Sequence, residues 1–91
     1  MTLRLLDISK EVERFLSPLP PKQFRQIYTK ILSLRSDPKP NDYIKLSGSV
    51  DRYRVDIGEY RIIYSFNEAI VKISTVGKRN DAEVYKKEKR S

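Results

Sequence analysis

Cysteine and histidine are both absent from this chain of 91 residues. Without cysteine, the chain has no disulfide framework, no thiol nucleophile and no Cys-based zinc or iron–sulfur site. Without histidine, it lacks the commonest metal ligand and the commonest general base near neutral pH. Any chemistry must therefore use arginine, lysine, tyrosine or carboxylate side chains, and the sequence predicts neither a metal nor a small-molecule cofactor.

Long apolar runs are also missing. No run approaches the roughly 18 residues that a membrane-spanning helix requires, and residues 1–7 lack the uninterrupted apolar stretch of a signal peptide. The chain is therefore expected to be a soluble cytoplasmic protein with no membrane partner. Its 91 residues, of which 38% are hydrophobic, suffice for one small core, so a single domain over residues 1–91 is expected.

Positive charge is abundant. Nineteen lysines and arginines stand against 12 acidic residues, which leaves a net charge of +7 and an isoelectric point near 9.8. Such a balance favours anionic partners, such as nucleic acid, an acidic protein or a charged surface. The cations are spread over both halves of the chain and form no basic arm. A basic, solvated domain without a specific anionic partner is the alternative interpretation.

The spacing of apolar residues changes near Tyr43. Before it, apolar residues recur at intervals of three and four, which predicts two helices in a hairpin; after it they alternate, which predicts an antiparallel meander. The fold class is therefore α+β. The predicted elements are a strand over residues 2–6, a helix capped by Asp7 and ending near Ser17, a helix from Pro20 or Pro21 to before Asp37, a strand around Val55, strands over residues 60–66 and 69–76, and a short helix from Lys78 to about Arg90.

The alternation predicts two unlike faces of the sheet. If the apolar face packs against the helices, the opposite face is mainly cationic. Neighbouring strands lie about 4.8 Å apart and same-face residues of one strand about 6.6 Å apart, so several of these charges can reach a single nucleotide. An ordinary solvated outer face is the alternative. The residues predicted on this face are Arg52, Arg54, Asp56, Arg61, Lys72 and Ser74.

The strand that holds Arg61 carries the most informative motif. Arg61 is the single charge within the apolar run of residues 60–64, Lys78 and Arg79 follow the next strand, and Tyr85 comes shortly afterwards. Arginine presents a rigid fork of donors that matches phosphate oxygens. These side chains can converge on one phosphate, as handling an RNA backbone requires. The alternative is a strand with one solvated cation followed by a basic helix start.

The order of these segments carries a resemblance. A strand, a helical hairpin and three further strands contain Gly-Glu-Tyr-Arg-Ile-Ile-Tyr at residues 58–64, Val-Gly-Lys-Arg at 76–79 and Glu-Val-Tyr at 83–85. This order resembles the RelE/ParE superfamily of bacterial toxin–antitoxin modules, and within it the RelE branch. The resemblance implies a small RelE-like fold, with a twisted antiparallel sheet, an added N-terminal strand, two helices on one face and a short C-terminal helix.

The resemblance also implies a function. RelE-type toxins enter the ribosomal A site and cut the mRNA there, with a 2′-hydroxyl attacking the adjacent phosphate. It therefore implies a ribosome-dependent endoribonuclease whose partners are the ribosome, mRNA and a RelB-like antitoxin. Two alternatives stay open: a ParE-like toxin that inhibits DNA gyrase by protein binding, a type that generally lacks the arginine and tyrosine set, and a weakly active toxin homologue.

Catalytic roles follow from the same resemblance. Arg61 matches the arginine that stabilises the phosphate, Arg79 the arginine proposed as the acid on the leaving oxygen, and Tyr85 the tyrosine that stacks on a base or orients the backbone. The two lysines of the family's preceding strand fall on Arg54 and Asp56. Asp56 thus takes the position of the general base, and its alternative role is that of an ion-pair partner for Arg61.

Other charged residues have weaker assignments. Glu59 stands where some ribosome-dependent relatives carry a carboxylate, and its alternative is an ordinary turn residue. Further cations are expected to contact RNA phosphates without reading sequence, with solvated side chains as the alternative. These cations are Lys45, Arg52, Lys78, Lys86 and Lys87.

Overall fold

Two helices and five strands make up the part of the chain that the computed structural model describes, which is residues 3–46, 48 and 51–79. The predicted start of the C-terminal helix at Lys78 was wrong, because Lys78 is the last residue of a strand that pairs with Tyr60. The rest of that predicted helix after Arg79, with Tyr85, Lys86 and Lys87, lies outside the described residues. The elements are β1 (Leu5–Ile8), α1 (Lys10–Leu16), α2 (Pro21–Ser33), β2 (Ile44–Lys45), β3 (Tyr53–Ile57), β4 (Tyr60–Phe66) and β5 (Ile70–Lys78).

The five strands form one sheet in the order β1-β5-β4-β3-β2. Strands β3, β4 and β5 pair antiparallel, as the predicted meander requires, and β4 spans the predicted residues 60–66. Strand β1 joins the sheet by pairing parallel to β5. The α+β class with an added N-terminal strand is therefore confirmed, and the sheet is mixed because β1 and β5 run in the same direction.

The start of α1 differs from the prediction. Asp7 belongs to β1, and Ser9 caps the helix by accepting a hydrogen bond from the Val12 amide at 3.2 Å. The prediction of Asp7 as the cap was wrong because the parallel ladder with β5 sets Asp7 opposite Lys72 and so extends the strand. That pairing is non-local and leaves no trace in the local pattern. Thr2, the predicted first residue of this strand, lies outside the described residues.

The second helix begins and ends close to the predicted limits. Pro21 opens α2, where the missing amide hydrogen of proline costs no helical hydrogen bond. Both helices contribute to one core with the sheet, which confirms the hairpin on one face. Tyr64 lies wholly within this core, and its hydroxyl donates to the Pro38 carbonyl at 2.6 Å. The buried core residues are Val12, Leu16, Ile27, Ile31, Leu34, Val55, Tyr60, Ile62, Tyr64, Val71, Ile73 and Val76.

A β-bulge interrupts the pairing of β4 with β5. Ile63 pairs with Thr75 and Tyr64 with Ile73, so Ser74 is the extra residue on β5. The Ser74 hydroxyl donates to the Ile63 carbonyl at 3.1 Å. Beyond the bulge the alternation is reversed. The bulge thereby turns Thr75 to the side of the sheet away from the helices, next to Ile63, which faces that side by the regular alternation of β4. Both residues are buried there, where the sequence predicted mainly charged side chains.

The β3–β4 hairpin turns over two residues, Gly58 and Glu59, because Ile57 pairs directly with Tyr60. Gly58 has a φ of +57°, a conformation that side chains disfavour. A Cβ atom added there would lie 3.0 Å from the side-chain amide nitrogen of Gln26. This tight turn fixes the register of the hairpin, and with it the placement of the charges described next. Within the residues that the structure describes, no helix has the length and apolar character to span a membrane.

Candidate functional site

The site is built on a cross-strand pair. Asp56 of β3 lies directly opposite Arg61 of β4, on the face of the sheet away from the helices. Nε of Arg61 donates to Oδ1 of Asp56 at 2.7 Å, and Nη2 donates to Oδ2 at 3.2 Å. Two parallel hydrogen bonds of this kind are the strong, directional form of an arginine–carboxylate contact. We call this surface the arginine face and define it by Arg54, Asp56 and Arg61.

Arg79 reaches the same carboxylate from the end of β5. Its backbone amide donates to the Glu59 carbonyl at 2.8 Å, which ties it to the β3–β4 turn. Its Nε lies 3.4 Å from Oδ2 of Asp56. One carboxylate thus holds two guanidinium groups, of which Arg61 is mostly buried, with a 12% exposed side chain, and Arg79 is 54% exposed.

The electrostatics of this cluster act on Asp56. The hydrogen bonds from Arg61 hold the pKa of the Asp56 carboxyl below its ordinary value of 3.8, and the charges of Arg79 and Arg54 lower that pKa further. Partial burial raises the pKa but does not reverse the shift. A general base works best with a pKa near the operating pH. The geometry therefore favours the ion-pair role of Asp56 over the role of general base.

An open cleft of about 510 Å³ lies beside the cluster. Three residues predicted to act in catalysis or RNA binding line this cleft, together with Glu59 of the β3–β4 turn: Arg61, Lys78 and Arg79. The cleft combines three cations with one carboxylate, that of Glu59, in addition to the neighbouring Asp56. Its lining residues are Gly58, Glu59, Arg61, Lys78 and Arg79.

The structure separates other predicted residues from this cleft. Lys45 of β2 pairs with Tyr53, so it points to the helix side of the sheet, at its edge. Arg52 lines a second, smaller cleft with Lys72, and the two clefts share no lining residue. Arg54 lies on the arginine face opposite Ile63. Tyr85, Lys86 and Lys87 fall outside the described residues.

Two features of the site were not predicted. One is the second ion pair of Asp56, with Arg79, since the sequence pattern indicated Arg61 alone as its partner. The other is the Glu59 carbonyl that anchors the Arg79 backbone. A two-residue turn between β3 and β4 is a local signal for the ion pair of Asp56 with Arg61, because it sets these two residues opposite each other. No local signal brings the end of β5 to that turn.

Fold and site together define a class: a small basic α+β protein whose sheet presents two arginines on one carboxylate beside an open, cationic cleft. No protein-family model matches the chain. A Methanocaldococcus jannaschii protein assigned as the toxin RelE1 is 32% identical over 82 residues, which cover 85% of this chain and 91% of that protein. The chain therefore belongs to the RelE family of toxins.

Solved structures agree with this assignment. The archaeal RelE–RelB complex from Pyrococcus horikoshii contains a chain that is 36% identical, with a TM-score of 0.75, over 90% of this chain and 100% of that one. A free-state mutant of the Escherichia coli toxin RelE is 25% identical, with a TM-score of 0.77, over 99% and 98% of the two chains. The resemblance to the RelE branch is thus confirmed.

Proposed function

We propose that this toxin is a cytoplasmic, ribosome-dependent endoribonuclease of a toxin–antitoxin module. It cleaves mRNA in the ribosomal A site. The observation that carries the proposal is the convergence of Arg61 and Arg79 on a single carboxylate at an open cleft. Two guanidinium groups that meet on one small anion can also meet on one phosphate. Their charge is permanent, so the site needs neither histidine nor a metal to stabilise an anion.

The proposed reaction uses the RNA as its own nucleophile. The 2′-oxygen loses its proton and forms a bond to the adjacent phosphorus, which passes through a phosphorane with added negative charge. The bond from phosphorus to the 5′-oxygen then breaks, and that oxygen takes up a proton, which balances the proton lost by the 2′-oxygen. The products are a 2′,3′-cyclic phosphate and a 5′-hydroxyl, and no water or cofactor enters. Fixed donors aimed at the growing charge lower the barrier most.

The arginines have distinct roles in this proposal. Arg61, held in place by its burial, donates to the phosphorane oxygens. Arg79 is more exposed and donates to the leaving 5′-oxygen, while Arg54 adds positive charge to the same face. Tyr85 is proposed to stack on a base of the bound codon. Asp56 is engaged by both arginines, which leaves Glu59 as the second carboxylate of the cleft able to accept a proton.

The proposed partners match the charge of the molecule. Phosphate contacts to mRNA and ribosomal RNA are proposed for the further cations Lys45, Arg52, Lys78, Lys86 and Lys87. A RelB-like antitoxin with an acidic segment is proposed as the inhibitor, because it would cover the arginine face and neutralise it. Several similar chains were solved as RelE–RelB complexes, which supports this partner.

The proposal is tested by single-turnover cleavage of mRNA in programmed ribosomes. Arg61→Ala and Arg79→Ala should each slow cleavage on the order of 100-fold to 1,000-fold, the usual loss when one donor to a transition-state oxyanion is removed. Arg14→Ala, which removes an exposed cation from α1, is the matched control and should cleave at the normal rate. Full activity in both site variants would show that the site lies elsewhere.

A second arm of the experiment separates the nuclease from a gyrase inhibitor. Naked RNA should be cut poorly, because the ribosome supplies much of the alignment of the 2′-oxygen. A ParE-like toxin would instead inhibit DNA supercoiling and leave ribosome-bound mRNA intact. That pair of results would overturn the proposal.

A further inference from the structure

The carboxylate of Asp56 occupies one of the donor edges through which Arg61 can bind a phosphate. The Nε and Nη2 edge of Arg61 is one of the forks that binds two oxygens of a carboxylate or a phosphate in the same geometry. In this structure that edge is already bonded to both oxygens of Asp56, at 2.7 Å and 3.2 Å. Arg79 directs its Nε to the same group at 3.4 Å. A phosphate that takes these donors must displace Asp56.

The charge of Asp56 acts in the same direction. The carboxylate cancels one of the two positive charges that Arg61 and Arg79 bring to the cleft, and it would repel a dianion placed beside them. Its low pKa keeps it ionised throughout the neutral range. Because one third of its side chain is exposed, Asp56 can also move aside into solvent when the arginines change partner.

We infer that Asp56 is a specificity determinant that competes with substrate phosphate for Arg61 and Arg79. A single free phosphate then binds weakly, whereas a phosphate that the ribosome holds at high effective concentration displaces the carboxylate. The inference rests on the proposed function for the identity of the substrate. The competition itself rests on the ion pairs alone.

The opposite role makes an opposite prediction. If Asp56 only positioned the two guanidinium groups, its removal would leave them less ordered and would weaken anion binding. If it competes, removal of its charge strengthens anion binding. The sign of the change in affinity therefore decides between competition and positioning.

The test is a titration of the complete protein with inorganic sulfate, followed by NMR through the Nε–H signals of the arginines. Sulfate has tetrahedral oxygens like those of a phosphodiester, and its double negative charge does not change near neutral pH. Asp56→Asn should bind sulfate on the order of tenfold more tightly than the wild type at low salt, because it removes one repulsive charge from beside the anion. The shifts should concentrate on Arg61 and Arg79.

Asp42→Asn is the matched control. Asp42 forms a comparable ion pair, with Lys30 of α2 at 3.2 Å, so this variant makes the same change in net charge without touching the site. An equal gain in sulfate affinity there would overturn the inference, because net charge alone would explain it. The gain in Asp56→Asn should disappear when Arg61→Ala is added. Unchanged or weaker sulfate binding by Asp56→Asn would equally contradict competition.

Asp56→Ala provides a second route to the same answer, and the dispersed amide spectrum of each variant shows that it remains folded. Failure of this inference is distinguishable from failure of the proposed function. Tighter sulfate binding by Asp56→Asn without any mRNA cleavage by the wild type would support the competition and contradict the nuclease. Cleavage by the wild type, with no gain in sulfate affinity in Asp56→Asn, would support the nuclease and contradict the competition.

Discussion

At the scale of single residues, the site depends on how Asp56 is shared. Its two oxygens bind guanidinium groups from β4 and from the end of β5. Asp56 of β3 is thus connected by ion pairs to both of these other strands. The same contacts lower the pKa of its carboxyl group. A lower pKa in the folded state contributes to stability. The ion pairs of Asp56 therefore make the stability of the fold sensitive to acid.

The first prediction concerns unfolding as a function of pH. The unfolded chain protonates Asp56 near pH 3.8, whereas the folded chain does so only at lower pH. The stability that Asp56 provides is therefore fully present above pH 3.8 and is lost as the pH falls through the folded-state pKa. Wild type should unfold at higher urea than Asp56→Asn at pH 7, and the two midpoints should converge in acid.

Circular dichroism during urea titrations across this pH range measures the two midpoints. In an Arg61→Ala background the pH-dependent part of the difference should shrink, because Arg61 is the largest cause of the lowered pKa. A difference between wild type and Asp56→Asn that stays constant from neutral to acid pH would contradict the assignment.

At the scale of elements, the β3–β4 hairpin was the most predictable part of the molecule. Alternating apolar residues and a glycine-first, two-residue turn are local signals, and they put Asp56 opposite Arg61. The bulge at Ser74 and the edge position of Lys45 depend on pairing with strands distant in sequence, so they escaped prediction. The apolar Ile62–Ile63 pair was a local hint that β4 also buries a residue on the side of the sheet away from the helices.

The second prediction tests the turn that holds this hairpin. Gly58→Ala places a side chain where φ is +57° and also presses a Cβ against Gln26 at 3.0 Å. Gly48→Ala is a matched control, because Gly48 has a φ of +70° but no atom of the described residues lies within 4 Å of an added Cβ. Backbone strain alone costs about 1–2 kcal/mol of unfolding free energy, so Gly48→Ala should lose this amount and Gly58→Ala more.

Urea unfolding measures both losses. Adding Gln26→Ala to Gly58→Ala should recover the part caused by the contact and leave the part caused by the backbone. Equal losses in the two glycine variants would mean that the Gln26 side chain moves aside at no cost.

At the scale of the whole molecule, the net charge of +7 is the dominant property. It was visible in the composition, but its distribution was not: one cleft gathers Arg61, Lys78 and Arg79, and a separate one holds Arg52 and Lys72. The negative charge of Asp56 lies within the first of these groups. At the proposed RNA site, the net positive charge of the molecule favours RNA binding, while the negative charge of Asp56 opposes it.

The third prediction is a strong salt dependence of binding to programmed ribosomes. Each phosphate charge that the protein neutralises on a single strand contributes about −0.7 to the slope of log affinity against log salt. Arg61→Ala should make the slope shallower by about this amount. Binding of a 2′-O-methyl mRNA, which cannot be cleaved, measures the slope without turnover. A wild-type slope near zero would show that packing, and not phosphate contact, dominates the complex.

The parallel pairing of β1 with β5 has a consequence for biosynthesis. Leu5 lies opposite Ile70, so β1 cannot pair with β5, its neighbour among the described strands, until nearly all of the described sequence has been made. The β3–β4 hairpin can bring Asp56 and Arg61 together earlier, since both belong to it. Arg79 follows β5 and is the last of the three charged groups to be translated. A ribosome that synthesises this chain therefore completes the pair of arginines only after β5 has been translated.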